Sequence, residues 1–141
     1  MNIYCCGCRA YVSARRTTGK DIYPHRTDLQ SRLFWRCDQC GNWVGCHRKG
    51  QNPLGCIPTP EIRRARMFIH NLLDPLWKNG PLRRTDVYRM ISDEIGREYH
   101  TAEIRTLEEA RDIYRIVRRI SLKTAKGRPG RATLDVAFGT R

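Results

Sequence analysis

No run of apolar residues approaches the roughly 18 to 20 that a membrane-spanning helix needs, and Met1–Cys8 turns polar too soon for a secretory leader. A cytoplasmic protein is the expectation. Acidic residues are scarce, 14 against 27 Lys and Arg, so nothing offsets a net charge of +13. No cysteine follows Cys56. Also missing are a phosphate-cradling glycine loop with its lysine, a nucleophile elbow and a clustered carboxylate pair, which argues against the common NTPase, esterase and glycosidase chemistries.

What is present is basic and arginine-rich. A small domain needs a net charge of only about 2 to 8 for solubility, and 22 of the 27 cations are Arg. Arg is the residue for planar, bidentate contact with phosphate or guanine. The composition therefore points to a polyanionic partner, nucleic acid first. At 141 residues the chain has room for one or two small domains and a core.

Seven cysteines, an odd number, in a reducing compartment read as metal ligands plus spares. Cys5-x-x-Cys8 and Cys37-x-x-Cys40 are two chelating pairs of the kind that close a tetrahedral thiolate site around one zinc ion. Four thiolates leave no open position, so the zinc is expected to be structural. A redox dithiol pair, simple burial and an iron–sulfur cluster are the other readings of the same residues. Cys46, His47 and Cys56 are expected near the site or in the core, with Cys46 or the adjoining His47 as an alternative ligand.

Composition divides the chain near Pro58–Pro60. We expect an α+β protein with a zinc-ribbon domain over 1–58, a helical domain over 59–120 and a flexible basic tail over 121–141. Residues 31–36 and 42–46 read as two strands of a hairpin around the second cysteine pair. Thr59-Pro60-Glu61 opens a helix with Ile62, Ala65, Ile69, Leu72, Leu73 and Leu76 on its apolar side, expected to end or kink near Pro75. Thr85-Asp86 is expected to cap a second helix with Val87, Met90, Ile91 and Ile95 inward and Gly96 as its stop. Thr106-x-x-Glu109 fits a capping box for a third, with Ile113, Ile116, Val117 and Ile120 as its buried stripe.

A run of motifs in fixed order carries a resemblance: Asp21–Leu29, Phe34-Trp35-x-Cys37-x-x-Cys40, Trp43–His47, Pro53-Leu54-Gly55, Leu72–Trp77 and Arg83-Arg84-x-x-x-Tyr88. Over roughly residues 3–117 the sequence resembles a zinc-finger-containing domain family found mainly in phages and prophages. The resemblance implies a ligand role for Cys5, Cys8, Cys37 and Cys40, and the host cytoplasm as location. It implies no reaction. The tail beyond about residue 120 lies outside it.

Aromatic residues interleave with arginines in the first part, a composition that suits unpaired bases stacked on rings with cations on phosphate. Candidate nucleic-acid contacts there are Arg15, Arg16, Arg26, Arg36, Arg48 and Trp43. Arg111, Arg115, Arg118 and Arg119 fall near one face of the third helix, and Lys126, Arg128 and Arg131 form an AT-hook-like Gly-Arg-Pro stretch in the tail. The favoured reading is a zinc-binding protein that binds nucleic acid, DNA before RNA. A phage adaptor or inhibitor of a host protein is the alternative. A metal-dependent nuclease using His25, Asp28, Asp38 and His47 is the third, although their spacing matches no metal motif.

Overall fold

The structure, a computed structural model, describes residues 1–124. They form two compact units, Met1–Glu61 and a second from Ile62 onward.

The first unit is built from short antiparallel strands. β1 (Asn2–Cys5) pairs with β2 (Ala10–Ser13), and β3 (Arg15–Thr18), β4 (Leu33–Arg36) and β5 (Trp43–Gly45) make a three-stranded sheet in the order β3-β4-β5. A single helical turn, α1 (Gly19–Ile22), follows β3. The sequence predicts the β4–β5 hairpin and says nothing of β1, β2 or β3. β3 is Arg-Arg-Thr-Thr, with no apolar alternation to betray it, and is held by pairing with β4. Each cysteine pair sits at the turn of a hairpin, Cys5–Cys8 between β1 and β2 and Cys37–Cys40 between β4 and β5. Residue 57 closes the unit by returning to β1: Cys6 N–H donates to Ile57 O and Ile57 N–H to Tyr4 O, each at 2.8 Å. The core is small: Ile3, Ala14, Trp35, Val44 and Ile57, together with Cys5 and Cys37.

The second unit is helical: α2 (Pro60–Lys78), α3 (Arg84–Ile95) and α4 (Leu107–Thr124). Their apolar stripes meet in one cluster that includes Ile69, Leu73, Val87, Ile91, Ile113 and Val117, all at most 1 % exposed. Four expectations are corrected. α2 runs through Pro75 to Lys78, because burial of Leu76 outweighs the hydrogen bond that a proline cannot donate. α3 begins one residue before Thr85, with Asp86 reaching back to accept from Arg83 N–H at 3.3 Å. Met90 is 40 % exposed rather than inward. α4 continues to Thr124, so residues 121–124 belong to a helix and not to the tail.

The capping box of α4 is split between two residues. Glu109 N–H donates to Thr106 Oγ1 at 3.0 Å, while the Glu109 carboxylate accepts from Arg105 N–H at 2.9 Å. The α3–α4 connection also carries buried polar groups that periodicity does not reveal. Tyr99 OH bonds Thr101 Oγ1 at 2.7 Å, and buried Arg66 donates to Ile104 O from Nη2 at 2.7 Å.

Leu73→Ala should cost about 2 to 5 kcal/mol, since it removes a fully buried side chain, whereas Met90→Ala should change stability by no more than about 0.5 kcal/mol. Denaturant unfolding followed by far-UV circular dichroism reads both, and equal effects would contradict this placement of the α2 and α3 faces.

Candidate metal centre

Each cysteine pair makes its turn with the same local devices. In the first, the Cys5 sulfur accepts from the backbone N–H groups of Gly7 and Cys8; in the second, the Cys37 sulfur accepts from those of Gln39 and Cys40. The residue after each second cysteine lies in the left-handed region, Arg9 at φ 55° and Gly41 at φ 80°. Glycine enters that region freely and arginine does not, so the sequence reveals this turn at Gly41 and hides it at Arg9. Gly41 N–H then donates to Cys37 O at 2.7 Å, and Cys37 N–H to Asn42 O at 2.8 Å.

The two turns face one another so that all four sulfurs lie within 4.8 Å. Cys5 Sγ is 3.4 Å from Cys40 Sγ and Cys8 Sγ is 3.7 Å from Cys37 Sγ. A zinc ion at about 2.3 Å from each sulfur places tetrahedral ligands about 3.8 Å apart. The donor set and its spacing therefore fit one zinc ion, and with four thiolates there is no open position for a substrate. Such an ion contributes its binding energy to the folding of the segment that holds it.

A side chain at Gly7 would displace the Asn42 amide and crowd Cys40 Sγ. A Cβ there would lie 2.7 Å from Asn42 Nδ2 and 3.3 Å from Cys40 Sγ. Asn42 Nδ2 also donates to Cys40 Sγ at 3.2 Å. Burial pushes the Cys5 thiol up to about 12, the N–H donors of Cys8 and Gly7 only partly opposing it. Cys8 is raised by its Cys37 neighbour and by burial. At Cys37 burial also acts upward, yet the N–H groups of Cys40 and Gln39 and the adjoining thiols outweigh it and hold the group below its ordinary value.

The remaining cysteines stand apart from this cluster. Cys6 and Cys56 are buried, their sulfurs 3.8 Å apart, and Cys46 Sγ donates to Gln51 O at 3.5 Å. Among the described residues the tetrad is the one group of three or more His, Cys, Asp or Glu placed to hold an ion. His25 and His47 are exposed, Asp28 pairs with Arg26 at 2.7 Å, and Asp38 pairs with Arg15 at 2.9 Å.

Several of the predicted nucleic-acid contacts hold partners within the protein. Arg15 and Arg36 are directly opposite on β3 and β4, and their charges are interleaved with carboxylates: Arg15 with Asp38, Arg36 with Asp21 at 3.1 Å. Hydrogen bonding from Arg36 lowers the Asp21 pKa, and hydrogen bonding from Arg15 lowers that of Asp38. Both contributions are thus present above the ordinary carboxylate pKa and are lost on acidification through the lowered one. These groups are exposed, so each is worth little. Arg16 bonds the neutral Gln51 side chain, and Arg48 is exposed. Trp43 packs edge-to-face with Tyr23 and Phe34, ring centroids 5.1 and 5.4 Å away. In α4, Arg115 pairs with Asp112 and Arg119 with Glu94 of α3, while Arg111 and Arg118 are partly exposed. Lys126, Arg128 and Arg131 lie outside the described residues.

A family model described as a zinc-finger-containing domain matches residues 1–122. No curated protein and no solved structure matches the chain.

Zinc content should be one ion per chain and should fall to background in the double variant Cys37→Ser, Cys40→Ser, while Cys46→Ser keeps it; elemental analysis of purified protein decides, and undiminished zinc in the double variant sinks the tetrad. Gly7→Ala should weaken zinc binding by about tenfold or more in a chelator competition, the loss typical of disturbing groups that orient ligands. An unaltered affinity would show that the two turns do not need this close approach.

Proposed function

The chain belongs to the zinc-finger-containing domain family, and from that premise we propose that it is a phage-type protein that binds nucleic acid, DNA in preference to RNA. The cationic surface of the first unit makes the contact. Zinc has a structural part, holding that surface in shape.

One observation carries this reading. Residues 1–60 contain nine basic and three acidic residues. Asp21, Asp28 and Asp38 are all taken up by Arg36, Arg26 and Arg15. Arg9, Arg16, Lys20, Arg32, Arg48 and Lys49 are exposed and have no carboxylate partner among the described residues. A surface whose every acid is already engaged keeps its surplus of positive charge for an outside polyanion. Phosphate backbones are such a partner, and neutralising them releases condensed counterions, which makes affinity fall steeply with salt. Helices α3 and α4 and the connection between them hold more of their charge in internal pairs: Arg119 with Glu94, Arg115 with Asp112, and Arg97 with Glu109. Their arginines are therefore assigned the smaller share. The phage-type character and host location rest on the motif run from Asp21 to Tyr88.

Fluorescence anisotropy of the zinc-loaded protein against single-stranded DNA, duplex DNA and RNA, across a salt series, tests this. A log–log slope of several units is expected, and Arg48→Glu with Lys49→Glu should reduce it by about 2 if each cation meets one phosphate. Weak binding, equal for all three and gone near physiological salt, would refute the proposal and turn the search to a host protein.

A further inference from the structure

The sheet β3-β4-β5 has two faces with different work. Directly opposed residues point to the same side of a sheet and alternate along each strand. Trp35 and Val44 are such a pair, and both lie in the core. The other face therefore carries two rows, Arg15, Arg36 and Trp43, and Thr17, Phe34 and Gly45.

This second face is aromatic and basic together. Phe34 lies at its base, 8 % exposed, under Tyr23 and Trp43, which are both partly exposed. The three rings contact one another edge-to-face at centroid distances of 5.1 to 5.9 Å, which fixes them as a rigid group. Leu54, 48 % exposed, borders them beside Gly45. Cations border the rings on β4 and in the loop that follows β5. Arg36 stands directly across from Trp43. Past the far end of β5 the loop 47–52 turns back on itself, with His47 N–H donating to Asn52 O and Leu54 N–H to Gly45 O, and it carries exposed Arg48 and Lys49.

We infer that this face is a stacking platform for an unpaired base, with Trp43 and Tyr23 against the base and the cations of Arg36 and of the Arg48–Lys49 loop on the flanking phosphates. The occupant is single-stranded nucleic acid, because a paired base keeps its π-face inside the duplex stack while an unpaired one offers it. The carboxylates of Asp21 and Asp38 do not bar phosphate: their ion pairs with Arg36 and Arg15 are exposed and weak, so one anion can replace another. This inference rests on the nucleic-acid reading above and adds the strand class and the residues that meet the base.

The test compares an oligothymidylate of about twelve nucleotides, within the range a small site covers, with an abasic strand of equal length and charge. The zinc-loaded full chain should bind the base-bearing strand about tenfold more tightly. Trp43→Ala should erase that preference and leave abasic affinity unchanged, while Trp43→Phe, which keeps a ring, should retain most of it. Zinc stoichiometry of each variant checks folding, and if Trp43→Ala loses zinc the wild-type comparison alone decides. Equal affinity for the two strands in the wild type overturns the platform, leaves the electrostatic reading intact and opens the face to a protein partner. A preference that survives in a zinc-loaded Trp43→Ala overturns it as well. Failure to bind either strand overturns the platform, and failure to bind duplex DNA and RNA as well overturns the nucleic-acid reading with it.

Discussion

Four sulfurs that must meet at one point govern residues 1–61. The apolar cluster of this unit has only seven buried members, and two of them, Cys5 and Cys37, are ligands as well. A core so small cannot offset the chain entropy of some sixty ordered residues by burial alone. The metal stands in for the missing apolar interior, and the hairpins exist to deliver sulfur to it. Each device in the turns serves that delivery: N–H groups aimed at Cys5 and Cys37, left-handed residues at Arg9 and Gly41, and a bare Cα at Gly7 where the turns press together.

The same centre shapes the electrostatics. Four thiolates around a divalent ion carry about two net negative charges, set among cations such as Arg9, which follows Cys8, and Arg36, whose Nη2 would lie 3.7 Å from a Cβ on Gly41. The outer charge is arranged differently in the two units. In the first, three aspartates hold three arginines and the rest stay exposed. In the second, carboxylates on α3 and α4 pair with arginines of their own helix, of each other, or of the connection between them. Net charge is similar in the two parts of the sequence, yet it is presented to solvent in different patterns.

How much of this was legible in the sequence follows from how local each signal is. The cysteine pairs are spaced by the turn itself, so two residues between ligands announce the site. The apolar stripes of α2 and α4 were readable because burial on one side repeats every three to four residues. What was hidden depended on partners far along the chain. β3 has no pattern of its own and is a strand only because β4 lies beside it. The continuation of α2 past Pro75 depends on Leu76 having a core to enter. The buried bond between Tyr99 and Thr101, and the Ile104 carbonyl that accepts from Arg66 of α2, lie in a stretch that reads as a loop, since polar groups that satisfy one another inside leave no hydrophobic trace. The arginines were readable as cations and not as partners: that Arg15 and Arg36 share Asp21 and Asp38 follows from strand register, which composition does not contain.

The return of Ile57 to β1 has a consequence for the order of events during synthesis. The strand that carries the first cysteine pair is completed by the segment some fifty residues later, and the second pair emerges only midway between them. Contacts of such long sequence separation form late, and a nascent chain is made at about 5 to 20 residues per second. For several seconds of synthesis, then, Cys5, Cys6 and Cys8 stand without the segment that closes over them, and β1 gains its second neighbour only once Ile57 has been made.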